Sequence, residues 1–300
     1  MQAGPDLTGK AETRAGIRQQ TSLLPAAAAD AKRSYRRDAS RAFWFALANT
    51  PLSAAVMPSK MRRALRTTEA RSGSFALPYP LARWHYGDAL VVEVDPRRLT
   101  TWLLSFAAHD DDLVVLRDFF VGSGDWSPMT RDIEATPLHR EIVELFANDL
   151  DIEKCPSYGK LIERLETNGP FTRNYIRLAS ADDVKTYFQH YVALIESVRR
   201  QGLVRSSRLG GGHEPSGFGG LRSRYHDMIE TDAGVAVDRD GRLHRFRGGF
   251  HRTAVAKCLQ LERMPVAVKL VHAGWLRGVI AETGLPPHEA VLAGIRSLAG

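Results

Sequence analysis

The run "GVAVDRDGRLHRFRGGFHRTAVAKCLQLERMPVAVKLV", residues 234–271, constrains the fold of this chain more than any other stretch. Val235 and Val237 alternate with small residues, "DRDG" supplies turn chemistry, and Leu243 and Phe246 resume the apolar alternation, which is the pattern of a β-hairpin. Two glycines follow at once. Ala254, Val255, Cys258, Leu259 and Leu261 then give a helix with a core-facing side, and "MPVAVKLV" reads as a strand with a proline at its entry. Two strands, a glycine turn, a helix and a further strand in this order predict one compact α/β unit.

The helix start inside that unit carries the first chemical expectation. Amide N–H groups at the first turn of a helix lack intrahelical partners and point outward, so phosphate or carboxylate is attracted there. Gly248 and Gly249 allow the backbone to approach a ligand, Arg252 can fork two N–H bonds onto a phosphate, His251 adds a donor, and Thr253 adds a hydroxyl. The dipole contributes only about 0.3–1 kcal/mol, so charged side chains have to supply most of the affinity. A plain bend followed by a surface histidine and arginine fits the same spacing, and spacing alone does not separate the two readings.

Charge distribution narrows the partners. Residues 1–71 hold 13 Lys and Arg against 5 Asp and Glu, while the remainder holds 28 against 29, so the formal charge of +7 resides in the first quarter of the chain. A cationic arm over residues 1–71, with short amphipathic helices around Phe43, Trp44, Met57 and Met61, suits nucleic acid, anionic lipid or an acidic partner; a solvated tail or a helix docked on the body fits it as well. No stretch of eighteen apolar residues exists and no secretory signal is evident, so a membrane span is not expected and a cytoplasmic location is. Cys155 and Cys258 lack metal-ligand or paired spacing and are read as packing residues.

Elsewhere, "ALVVEV" and "LVVLRDFFV" read as strands, "RRLTTWLLSFA" as a helix, and residues 137–150 and 157–167 as amphipathic helices. The clearest helix is "ADDVKTYFQHYVALIESVRRQ", capped by Ser180, with acidic residues in its first turn and Gly202 stopping it. A loop follows in which six of the eleven residues 210–220 are glycine; it is not a Walker loop.

"LIESVRRQGLV" followed by "RFRGGFHRTAVAKCLQLERMPVAVKLV" resembles the shared core of the ParB/sulfiredoxin superfamily, over roughly residues 181–280. "GDW" at Gly124–Trp126 and "VHAGW" ending at His272–Trp275 resemble the flanks of uncharacterised ParB-like proteins. The resemblance implies a nucleotide or phosphate held by Gly249, His251 and Arg252, with Gly248 and Thr253 beside them. Members of the superfamily include ATP-dependent sulfinic acid reductases, CTP-binding DNA-partition proteins and kinases of free serine. Phe250 stands where the reductases carry their reactive cysteine, and a phenyl ring cannot act as a nucleophile, which excludes that chemistry. The short stretch after Trp275 weakens the DNA-partition expectation, because a helix-turn-helix reader normally follows.

The expected architecture is α+β, with a ParB/sulfiredoxin-like α/β domain over 181–300, a mixed accessory region over 72–180 that is mainly helical, and the basic arm over 1–71. The expected function is nucleotide binding, with phosphoryl transfer from ATP or another nucleotide to a small hydroxylated acceptor and Mg2+ as companion. Glu214, with His213 beside it, Glu230 and Asp238 are the candidate catalytic carboxylates, none assigned by spacing. The alternative is a non-catalytic, nucleotide-dependent module that contacts DNA, RNA or a partner through the arm.

Overall fold

A computed structural model describes residues 52–104, 107–109, 112–114, 116–173, 176–205 and 232–299. The chain enters as helix α1 (Leu52–Ala70), then strand β1 (Phe75–Pro78), helix α2 (Tyr79–Tyr86), β2 (Val91–Val94), β3 (Thr101–Leu103), the small ladder β4 (Ala107–His109) and β5 (Asp112–Val114), β6 (Phe119–Gly122) and β7 (Thr130–Asp132). Helices α3 (Pro137–Ala147) and α4 (Pro156–Asn168) lead to a second ladder, β8 (Phe171–Arg173) with β9 (Ile176–Leu178), and to α5 (Ala181–Gln201). After residue 231 come β10 (Ala233–Val237), β11 (Leu243–Arg245), α6 (Phe250–Cys258), β12 (Met264–His272), α7 (Ala273–Thr283) and α8 (Pro287–Ser297).

The expected hairpin is present, with Val235 opposite Arg245 and Val237 opposite Leu243. It lies inside one mixed sheet of order β1-β6-β12-β10-β11-β3-β7, in which β2 pairs with the first half of β12 and β6 with its last two residues. Strand β12 is buried along all nine residues, as a strand flanked on both edges and covered on both faces must be. Between β10 and β12 the register shifts after Val235, so Lys269 becomes the extra residue of a bulge.

Three apolar clusters hold the layers. One face of the sheet, with Val235, Val237, Val266 and Val268, packs against α1, α2, α7 and α8. The other face, with Ala236, Phe246 and Leu270, is covered by Phe75, Leu116, Trp126 and Met129. A helical layer of α3, α4 and α5 forms the third cluster, and α6 joins it to the sheet: Ala254 and Val255 face the helices while Ala256 faces the sheet.

Three expectations change. The architecture is α+β, but residues 72–180 contribute nine of the twelve described strands, so that region is mixed rather than mainly helical, and the sheet crosses the boundary drawn at 181. "RRLTTWLLSFA" is not a helix: Thr101–Leu103 pairs with β7 on one side and β11 on the other, a tertiary gain that overrides its local apolar spacing. Helix α1 falls within the expected arm, yet it buries Met57, Met61, Ala64 and Leu65 in the body; residues 1–51 lie outside the described residues. No described helix is long and apolar enough to cross a membrane.

Candidate functional site

Beyond β11 and Phe246 come three consecutive residues with left-handed backbone, Arg247 (φ 59°), Gly248 (φ 64°) and Gly249 (φ 75°), and Gly249 is the N-cap of α6. No side chain caps this helix. Glycine at 249 has two causes. Its φ disfavours an L side chain, and a Cβ there would lie 2.7 Å from Ala233 Cα.

Beneath the turn lies Arg245, fully buried, whose guanidinium donates to the carbonyls of Gly234 and Gly248 and stacks 4.8 Å from the Phe250 ring centroid. Trp102 meets Phe250 edge-on, ring centroids 5.4 Å apart. Burial alone pushes the Arg245 guanidinium down to about 9. Two carbonyl dipoles therefore hold it, without a carboxylate among the described residues.

The side chains expected to converge on an anion divide. Thr253 is buried and its hydroxyl donates to the carbonyl of Gly249, inside the helix. Arg252 donates from Nη2 to the carbonyl of Val204 at 2.6 Å, and its Nη1 lies 3.8 Å from the carboxylate of Asp232, itself buried. His251 turns inward. Its ring stacks on Tyr191, centroids 3.8 Å apart, and its Nε2 lies 3.4 Å from Oε2 of Glu141 on α3.

Glu141 is the centre of a buried cluster that the sequence reading missed. Its Oε1 accepts from Arg173 on β8 and its Oε2 accepts from the hydroxyl of Tyr187 on α5 at 2.8 Å. Burial pushes this carboxyl up, but the hydrogen bonds from His251, Arg173 and Tyr187 together with the Arg173 charge outweigh it, so Glu141 is held below its usual range as a carboxylate. Burial pushes His251 down, and the Glu141 bond offsets that only in part, so the ring is neutral near pH 7. Because a carboxylate only accepts, Nε2 carries the ring proton and Nδ1 is left as the acceptor.

Of the three candidate carboxylates, Glu214 and Glu230 lie outside the described residues, as does His213. Asp238 is at the hairpin turn. Its Oδ1 accepts the amides of Asp240 and Arg242, and its Oδ2 lies 3.0 Å from Nε2 of His244, whose Nδ1 is 2.7 Å from the Thr101 hydroxyl. Successive strand residues point to opposite faces, so His244 and Thr101 lie on the face away from Arg245 and Trp102. Asp238 and the glycine turn are thus not brought into one site. His272 caps α7 by accepting from the amide of Gly274, and Lys257 pairs with Glu134.

Cys155 is buried and Cys258 partly so, both within the helical cluster. No group of three His, Cys, Asp or Glu side chains suited to a metal ion occurs among the described residues. Comparison with protein-family models, with curated proteins and with solved structures found no match to this chain.

Proposed function

We propose that the turn from β11 into α6 binds the phosphate of a nucleotide, and that the chain transfers a phosphoryl group to a small hydroxylated acceptor. The observation that carries this reading is Arg245: a fully buried guanidinium, countered by two carbonyls alone, beneath a left-handed turn whose helix has no side-chain cap. A positive charge in that position favours an anion at the amides above it, and Arg252 at the same helix start supplies a second guanidinium. The resemblance to the ParB/sulfiredoxin core points the same way. His251 is reassigned within this reading, from direct phosphate donor to the residue that anchors the helix start to Glu141.

The roles divide accordingly. Gly248 and Gly249 set the approach of the backbone, the first amides of α6 and Arg252 bind, Arg245 fixes the turn, and Asp232 competes with the anion for Arg252. No residue among those described holds a metal at this place, and no step of the proposal runs through magnesium.

The test is a thermal-unfolding screen of the full chain with ATP, ADP, CTP and GTP, each with and without magnesium, and with inorganic pyrophosphate. A ligand at 100 times its dissociation constant adds about 2.7 kcal/mol of stability. Stabilisation by at least one nucleotide and by pyrophosphate is expected, followed by phosphorylated product when hydroxylated acceptors are supplied. Folded protein that none of these compounds stabilises overturns the proposal.

A second reading rests on α1. Away from its buried side, Arg62, Arg63 and Arg66, with Arg71 just past its end, are exposed against the single acid Glu69, a cationic patch suited to nucleic-acid phosphates. Binding to duplex DNA or RNA with a steep salt slope, lost when these four arginines become glutamine, supports this face as the contact. Unchanged binding in that variant excludes it.

A further inference from the structure

We propose that Thr101 is a nucleophilic hydroxyl and that Thr101, His244 and Asp238 form an acyl-transfer centre acting on small activated esters, separate from the glycine turn. Three elements supply the three groups: β3, β11 and the β10–β11 turn. A nucleophile, a base in hydrogen-bond reach of it and a third group that orients the base are the parts such chemistry needs. Both links fall inside that reach, 2.7 Å from Thr101 Oγ1 to His244 Nδ1 and 3.0 Å from His244 Nε2 to Asp238 Oδ2.

The direction of the proton chain is fixed by chemistry. Asp238 is pinned by two backbone amides on its other oxygen, so the carboxylate cannot rotate away from His244. Burial pushes it up, but the bonds from His244, Arg242 and Asp240 hold it below the usual range, and it stays ionised. A carboxylate only accepts, so in the neutral ring Nε2 carries the proton and Nδ1 is the acceptor for the Thr101 hydroxyl. Burial of the side chains is incomplete, with 18% of Asp238 and 11% of His244 exposed and Thr101 half-buried, so the chain borders solvent rather than lying wholly in the core.

The step balances without a further reagent. Oγ1 of Thr101 bonds to the ester carbonyl carbon as its proton passes to His244 Nδ1, and Asp238 stabilises the imidazolium. The bond from carbonyl carbon to the leaving oxygen then breaks, and that oxygen departs with the electron pair and the proton from His244, or, where it leaves as a stable anion such as nitrophenolate, His244 gives that proton to solvent, so the ring is neutral again. Acyl-threonine remains. Water, deprotonated by His244, attacks it to release the carboxylic acid and restore Thr101.

The test incubates the intact protein with p-nitrophenyl acetate, follows nitrophenolate release and maps acetylated residues by peptide mass spectrometry. An acetyl group on the peptide carrying Thr101 is expected, with release slowed by roughly 100-fold or more in His244→Gln, as loss of a general base gives. Thr101→Ser retains the adduct and Thr101→Val lacks it. The wild-type map decides the matter even where a variant fails to fold. Acetylation confined to lysines or the N-terminus, or nitrophenolate release at the same rate in folded Thr101→Val, overturns the proposal.

Discussion

Replacing Gly249 by alanine tests the turn most directly, because the structure sets two separate costs. At φ 75° an L residue sits in the left-handed region, which costs about 1–2 kcal/mol relative to glycine. The new Cβ would also lie 2.7 Å from Ala233 Cα and 2.8 Å from Ala233 Cβ, both on a buried strand that cannot retreat, and overpacking of this kind costs about 1–3 kcal/mol. The stiffer unfolded chain returns about 0.4–1 kcal/mol. The net expectation is a loss of about 1–5 kcal/mol, centred near 3.

Gly278→Ala is the matched control: the glycine lies inside α7, and an added Cβ meets nothing within 4 Å. That change should stabilise by about 0.5–1 kcal/mol. Urea unfolding of both variants, with m-values compared to the wild type, measures the contrast. A Gly249→Ala protein within about 1 kcal/mol of wild type refutes the reasoning, since neither the backbone nor the contact cost would then be real.

Asp232→Asn removes the carboxylate 3.8 Å from Arg252, so pyrophosphate affinity measured by calorimetry should rise about tenfold, while the unliganded protein loses stability. Glu141→Gln leaves Arg173 and His251 without their anion, and a loss of about 3–5 kcal/mol is expected in chemical denaturation, with the largest deficit above the carboxyl range and a smaller one in acid. The buried rings of His139, His251 and His272 are all held below their usual 6.5 by burial, so below that pH the unfolded chain binds protons that the folded one does not. Stability is therefore full above pH 6.5 and falls beneath it, by at most about 1.4 kcal/mol per pH unit for each ring, and a flat urea midpoint from pH 7.5 to 5.5 contradicts this.

What the sequence revealed follows the range of the interactions involved. Helix α5 was legible because its signals are local: the Ser180 cap receives the Asp183 amide, the Asp183 side chain returns the bond, and the apolar stripe is regular. The hairpin, the glycine turn and β12 were legible for the same reason. Strand β3 was not, because its pairing partners lie about thirty residues onward in β7 and far along the chain in β11. The Glu141 cluster joins residues 110 positions apart in sequence, and nothing near Glu141 marks it as other than one polar position of an amphipathic helix. The Thr101, His244 and Asp238 chain is hidden likewise, since only the sheet register brings β3 beside β11.

Arg245 links the stability of the turn to the proposed binding, and methionine in its place separates the two. Methionine keeps most of the bulk but removes the charge and both donated hydrogen bonds. The carbonyl of Gly248 loses this donor, at about 1–3 kcal/mol where nothing replaces it, while that of Gly234 keeps the amide of Phe246. Against that, a buried guanidinium without a carboxylate carries a desolvation penalty of several kcal/mol, which the variant no longer bears. The two terms oppose, so unfolding free energy should change by less than about 2 kcal/mol. Anion affinity has no such compensation: the positive charge beneath the amides is gone and the Gly248 carbonyl is released to oppose the ligand. Calorimetric titration with pyrophosphate should therefore show binding lost from a folded Arg245→Met protein, and undiminished binding would remove the electrostatic basis on which the phosphate site rests.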